Sequence, residues 1–410
     1  MSNPTRPPLK PLQQAWEELL AYAVPLAAPE LVPTHEADGR VLAESIRAEL
    51  QVPPQDNSAM DGYAVRSADI AQAGIALPVS QRIAAGDNGQ PLAAGTVARI
   101  FTGAPIPPGA DAVVMQEDTT AQPDGTVAFN AVPTAGQNVR RAGEDITRGA
   151  EILAAGTRLT PAELGQAASV GRAQLLVARR PRVALLSTGD ELIMPGEVAP
   201  QDMRPGSIYN SNRFFLRSLL VRLGCEVHDM GNVPDSREAT VAALREAGAS
   251  FDLVLTSGGV SVGEEDHIKP AVQLLGQLHL WQLAIKPGKP FAYGTVGQAH
   301  FIGLPGNPVS SFVTFLLLVR PFVLRLQGLS QLEPPRVAMR ADFDWARPDK
   351  RQEFLRVRRN ANDGLDLYPN QSSGVLTSVV WGDGLIDNPG GGTIRRGDTV
   401  RFIPFAELLV

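Results

Sequence analysis

The chain has 410 residues, with 37 Lys plus Arg against 43 Asp plus Glu, a net charge of −6 and a pI near 5.5. This acidic balance gives nucleic acid or an acidic membrane no general reason to bind, and at about 150 residues per domain the length suggests roughly three domains. One cysteine, Cys225, excludes an intramolecular disulfide and a cysteine-rich zinc site, so any chemistry must come from carboxylates, lysines, hydroxyls and backbone groups.

Met1–Pro11 is polar and proline-rich. It reads as a mobile arm without the apolar core of a signal peptide, which makes the cytoplasm the default location. Leu12, Trp16, Leu19 and Leu20 fall at near-helical spacing and predict a helix over 12–22. Residues 37–50 predict a further helix or helix–strand unit. Residues 51–141 are dense in Gly, Pro, Val and Ile, with strand-like runs at 97–101 and 111–116, and read as β-rich. Helix returns at 161–170, with Thr160 as cap and Pro161 at the first helical position. Helical segments on both sides of a β module predict an insertion: residues 51–146 interrupt a helical-β domain made of 1–50 and 147–180.

From Arg182 strand and helix alternate. Strands are expected at 183–187, 227–230, 251–256 and 300–304. Helices are expected at 210–223, 236–247, 268–275 and 309–326, with Gly224 as a left-handed stop to the first. This series predicts a doubly wound parallel sheet over 181–328. The longest apolar run, Phe312 to Val319, is broken at Thr314 and closed by Arg320-Pro321, short of the roughly 20 residues of a membrane span. Residues 329–410 lose helical periodicity and carry turns at 362–364, 382–384 and 390–392, as a small closed or sandwich β domain would.

In an open parallel sheet, ligands bind beyond the carboxyl ends of the strands. Three such ends carry polar, Gly-rich loops: Ser187-Thr188-Gly189-Asp190-Glu191, Thr256-Ser257-Gly258-Gly259-Val260-Ser261-Val262-Gly263, and Gly303-Leu304-Pro305-Gly306-Asn307-Pro308. Any one of them reads as a plain chain turn. Three at successive strand ends read better as a cradle for a phosphate-bearing ligand. Glu264-Glu265 stand where a P-loop needs Lys and Ser/Thr, and no GxGxxG follows the first strand, so an ordinary NTPase or dehydrogenase is disfavoured. Asp190, Glu191, Asp235 and Asp266 fall at strand ends. Acids beside a phosphate cradle point to a divalent ion, although Asp235 and Asp266 serve equally well as helix caps. Lys286-Pro287-Gly288-Lys289-Pro290 sets two lysines on a proline-restricted turn, suited to oxyanions or to a solvated hairpin. Asp56 to Tyr63 and Arg140 to Asp145 are charged turns that solvation alone would explain. His35, His228, His267, His279 and His300 lack metal-ligand spacing, and Cys225 reads as a packed residue.

Taken together these stretches resemble one family, the molybdopterin molybdenumtransferases, to which the E domain of gephyrin is related. The resemblance is carried in order by Asp56-Asn57-Ser58-Ala59-Met60-Asp61-Gly62-Tyr63, Thr102-Gly103-Ala104-Pro105, Arg141-Ala142-Gly143-Glu144-Asp145, Ser187 to Leu192, Ser257 to Gly263, Lys286 to Pro290 and Leu304 to Ser310. It implies a multidomain α/β protein: a helical-β domain, an inserted β domain, a doubly wound nucleotide-type domain and a C-terminal β barrel. It also implies a homodimer with its cleft between subunits. The implied reaction joins molybdate to the dithiolene of adenylylated molybdopterin, releases AMP and requires Mg2+. Partners implied are a molybdopterin adenylyltransferase and cofactor-accepting molybdoenzymes.

Roles carried over by the resemblance make Asp61, Thr102, Asp145, Glu191, Asp235, Asp266, Lys286 and Lys289 catalytic, with Glu191, Asp235 and Asp266 at the metal. Ser187, Thr188, Gly189, Ser257, Gly258, Gly259, Ser261, Pro305, Gly306, Asn307 and Ser310 would hold the pterin substrate, and Arg356 and Ser373 would face molybdate. Gln282 departs from the basic residue often found there. Two rivals remain. A molybdopterin adenylyltransferase resembles the α/β domain but lacks the inserted module. A molybdopterin-binding scaffold would not need the acids, which are all present.

Overall fold

The computed structural model describes residues 8–259 and 267–409. Leu12–Tyr22 is helical as its spacing predicts, with Ala15 and Leu19 fully buried. Those side chains pack into the core of the α/β unit, beside Val319 and Val323, rather than against the segment that follows in sequence. Leu26 N–H donates to Leu326 O (2.8 Å), and Lys10 lies 4.3 Å over the Trp281 ring.

Residues 37–50 contain no α-helix. Gly39 turns the chain at φ +72°, and the strand Ile46–Arg47 pairs antiparallel with Glu151–Leu153. The period in this segment is two: Ile46 and Ala48 are buried while Arg47 is exposed, which a strand satisfies and a helix does not. Glu30–Pro33 pairs with Gln174–Val177. The helix Pro161–Ser169 begins with Glu163 reaching back to the Thr160 backbone N–H (2.9 Å), half of a capping box.

The inserted unit is a six-stranded sheet in the order 112–115, 62–65, 97–100, 76–83, 126–129, 119–121. Only Ala76–Ile83 and Val97–Ile100 run parallel. Successive residues feed opposite faces: Ala64, Ala98 and Val113 enter one apolar cluster, while Val65, Val97, Ala112 and Val114 enter another.

The α/β unit has the sheet order 226–233, 182–188, 253–257, 299–304, 290–296, 276–282. The first four strands, which are the ones the sequence predicts, are parallel, and two further strands extend the sheet antiparallel. Gly297, at φ +58°, closes a tight turn between Pro290–Val296 and Ala299–Leu304, and only antiparallel neighbours can be joined so shortly. The parallel strands are buried on both faces. Val183, Leu185, Leu253 and Leu255 meet the helices Ser211–Arg222 and Pro308–Leu326, while Ala184, Leu186 and Val254 meet Arg237–Ser250 and Ile268–Leu275. Pro308–Leu326 is longer than its apolar run predicts. At 19 residues and mean hydropathy 1.7 it meets the length and composition of a membrane span, yet 94% of it is buried within the protein, as a core helix is.

The C-terminal strands 337–341, 352–359, 364–367, 384–388 and 399–404 close into a barrel, because Gln352–Arg359 pairs with both Gly364–Leu367 and Gly384–Asn388. Leu355, Val357, Leu365, Ile386 and Phe402 fill it. Ile285–Lys286 adds to Gln352–Arg359 in parallel and joins the barrel to the α/β unit.

Candidate active cleft

The three strand-end loops converge on a cleft of about 670 Å³. From the first come Thr188 and Glu191, from the second Ser257, Gly258 and Gly259, and from the third Pro305, Gly306, Asn307 and Ser310. Glycine is required at two of these turns. Gly258 sits at φ +96°, and a Cβ on Gly189, at φ +136°, would come within 2.6 Å of the Glu191 carboxylate. Ser187 faces the other way: it is 1% exposed with its hydroxyl unpartnered, and neither it nor Gly189 lines the cleft. Alternation along the strand puts Thr188 on the cleft and Ser187 inside. Ser187 is therefore not a ligand contact in this arrangement.

Asn212 was not anticipated. Its amide donates to Ser257 Oγ (2.7 Å) and to Gly306 O (2.8 Å), tying the second loop to the third. The signal available was local: Asn210 caps the helix by accepting from Arg213 N–H, which turns Asn212 in the first turn toward the strand ends. The helix Pro308–Leu326 starts at the third loop and directs its positive end at the cleft.

Among the described acids, only Glu191 lines the cleft. Asp235 lies 3.9 Å from His267 Nε2 and is not a lining residue. Asp266 and Ser261 lie outside the described residues. No three Asp, Glu, His or Cys side chains among the described residues converge on a point that could hold a metal. The donor set thus fits no all-protein cage. It does fit Mg2+ as commonly bound, through one or two carboxylates completed by substrate phosphates.

The lysines divide. Lys286 Nζ lies 3.2 Å from Glu353 Oε1 and 3.6 Å from Asp349 Oδ2. Glu353 is 1% exposed and also accepts from Trp345 Nε1 (2.7 Å). Hydrogen bonds from the Arg351 guanidinium hold the Asp349 carboxyl far below the usual range. Lys286 is therefore neutralised by the barrel. Lys289 has no ion-pair partner among the described residues and is the freer cation. Neither lysine lines the cleft described above.

Arg356 does not reach the cleft either. It is 1% exposed, and its guanidinium donates to Ser378 Oγ (3.1 Å), Ser372 O (3.1 Å) and Phe354 O (3.2 Å). No carboxylate among the described residues pairs with it, and burial pushes its pKa down to about 10. Its visible role is to brace residues 371–374. In that segment Ser373 O accepts from Val309 N–H (2.9 Å) and Gly374 lines the cleft. Ser373 thus touches the helix start through its backbone.

The inserted unit carries a separate group. Asp61 Oδ1 accepts from Thr102 N–H (2.8 Å) and Thr102 Oγ1 (2.7 Å), and these bonds hold its carboxyl below the usual range. Asp56 accepts from Arg141 Nη1 (2.6 Å) and Ala142 N–H (2.9 Å), so the two charged turns form one structure. Asp145 is exposed, its N–H bonded to Val52 O. Asp61, Thr102 and Asp145 are not among the residues lining the cleft of their own chain.

A mixed α/β sheet whose loops form an anion-suited cleft, bearing an inserted β unit and a terminal barrel, defines a multidomain α/β protein built to bind a phosphate-bearing ligand. Residues 184–325 match the family described as a probable molybdopterin binding domain, 10–171 the MoeA N-terminal region (domain I and II), and 338–405 the MoeA C-terminal region (domain IV). A molybdopterin molybdenumtransferase of Haemophilus influenzae is 40% identical, over 97% of this chain and 99% of that protein. One of Nostoc is 36% identical, over 89% and 86%. The crystal structure of a molybdopterin biosynthesis moeA protein from Pyrococcus horikoshii superposes at a TM-score of 0.84, with 29% identity over 97% of this chain and 100% of that one. The chain belongs to the molybdopterin molybdenumtransferase family.

Proposed function

We propose that this protein inserts molybdenum from molybdate into molybdopterin, using the adenylylated pterin and releasing AMP. The observation that carries the reading is the cleft itself: three glycine-bearing strand ends, a helix N-terminus and the Glu191 carboxylate around about 670 Å³. Breaking a phosphoanhydride places negative charge on the departing phosphate, so catalysis depends more on charge stabilisation than on a protein nucleophile. Backbone N–H groups at Gly259, Gly306 and Asn307 suit the phosphate oxygens, while Gly258 N–H donates to Leu304 O (3.0 Å) and Asn212 holds the loops in register. Glu191 would bind Mg2+ together with those oxygens, and the ion would offset charge there. Lys289 is the cation best placed by its freedom to meet an oxyanion, and the segment held by Arg356 closes one side of the cleft.

Support for a homodimer comes from the Asp61–Thr102 pair, which is ordered by two hydrogen bonds yet lies off its own chain's cleft. A second copy would bring that pair to the cleft. A molybdopterin adenylyltransferase as supplier and molybdoenzymes as acceptors complete the scheme.

The test is AMP release from adenylylated molybdopterin with Mg2+, with and without molybdate. The reading expects release that depends on molybdate and yields metal-loaded pterin. Tight pterin binding without any release would instead support a scaffold.

A further inference from the structure

The inserted unit carries a cationic cluster that the cleft chemistry does not use. Arg82 and Arg99 are direct partners in the one parallel pairing of that sheet. Like charges placed opposite each other on neighbouring strands are destabilising. Neither arginine forms an ion pair with a carboxylate among the described residues. Both guanidinium groups instead stack on Phe101, at 4.5 Å and 4.8 Å from the ring centre, and Arg99 also lies 5.2 Å from that of Tyr63.

Arg99 is half-buried and fixed. Its Nη1 donates to Gly62 O (3.0 Å) and its Nη2 to Gln116 Oε1, which leaves part of its fork unused. Arg82 is exposed and has no hydrogen-bond partner among the described residues. Stacking immobilises a guanidinium while leaving its N–H edge free to donate, and planar donor edges match phosphate oxygens bidentately. Asp61, two residues before Tyr63, has one carboxylate oxygen committed to Thr102, and the Arg99 charge adds to the depression of its pKa. Two cations against that one carboxylate leave the cluster positive on a chain whose net charge is −6.

We propose that Arg82 and Arg99, set on Phe101 beside the Asp61–Thr102 pair, form a binding site for a phosphate ester. This deepens the function proposed above and rests on it for the identity of the ester, a nucleoside monophosphate group. The phosphate is held by the two guanidinium edges. The nucleoside contributes nothing to the contact, because both arginines already occupy Phe101.

The experiment is calorimetric titration of the full chain with AMP, adenosine and inorganic pyrophosphate, comparing wild type with R82A and R99A. Both variants are checked for folding by thermal melting, and R82A, at an exposed position, is the cleaner of the two. Expected is a loss of about tenfold in AMP and pyrophosphate affinity in each variant, as a charge-assisted hydrogen bond is worth. Adenosine binding should stay unchanged. R99K should recover only part of the loss, since an ammonium lacks the fork. AMP and pyrophosphate affinities within about twofold of wild type in a folded R82A would overturn the site. Pyrophosphate binding that depends on the arginines, with no AMP binding by wild type, would keep the site and overturn the adenylylated substrate.

Discussion

At the scale of the residue, Asp61 shows how a sequence motif becomes an electrostatic device. Its carboxyl is held down first by the Thr102 N–H and then by the Thr102 hydroxyl. A depressed carboxylate pKa keeps the group charged to lower pH than a free aspartate, and the charged form is lost only as pH falls through the lowered value. Replacing Thr102 with Val removes the hydroxyl donor and keeps the backbone one. The acid limb of the kcat/KM profile should then move to higher pH, with the basic limb unchanged. An acid limb that stays in place in Thr102→Val would show that Asp61 is not the group titrating in the reaction. The arginines beside it were visible in the sequence as charges. Their cross-strand register and shared ring were not, because parallel pairing is a tertiary fact.

At the scale of the element, the Arg356 side chain separates two roles that one motif match had merged. The resemblance put Arg356 on the molybdate side, whereas its three hydrogen bonds all fall within the barrel and its 371–374 loop. Arg356→Met removes the brace while keeping much of the buried volume. Hydrogen exchange at Ser372 to Gly374 should quicken by about tenfold as the loop loses a charge-assisted bond. Tungstate affinity should fall only as far as the loop loosens. Lost tungstate affinity with unchanged exchange would instead make Arg356 a direct ligand. The same divide marks what was legible beforehand. Helices at 12–22, 161–169 and 211–222 have local causes in spacing, caps and a Gly stop, and they stand where the sequence puts them. Residues 37–50 do not, because Ala37 and Val41, and Leu42 and Ile46, recur four apart and imitate a helical stripe, while Gly39 and the partner strand at 151–153 dictate extended chain. Gly276–Gln282 was missed as a strand for a similar reason: its partner, Pro290–Val296, lies across the Lys286–Lys289 turn. The cleft loops were legible because strand-end glycines mark themselves. Asn212 and Glu353 were not, since a bridging amide and a buried counter-charge gain meaning only from what lies opposite.

At the scale of the whole molecule, the units are joined unequally. The barrel is fastened to the α/β unit by backbone pairing at Ile285–Lys286, by the Lys286–Glu353 ion pair and by Val309 N–H on Ser373 O. The N-terminal helix is fastened to the same unit through Ala15 and Leu19. The inserted unit hangs instead on the paired turns at Asp56 and Arg141, with its ordered acid and its arginines away from the cleft of its own chain. An acid that must reach chemistry elsewhere can be supplied by a second copy, and closed two-fold symmetry would then build two identical sites from two chains. Mixing separately inactive Glu191→Gln and Asp61→Asn proteins tests this. In a mixed dimer the Asp61→Asn chain offers an intact Glu191 cleft, and the Glu191→Gln chain offers an intact Asp61. With random exchange, half the dimers are mixed and each has one complete site, so activity should return to about a quarter of wild type. Activity no greater than the sum of the two variants alone would mean that each inserted unit serves its own chain, and that the cleft must close by a swing of that unit about the turns at Asp56 and Arg141.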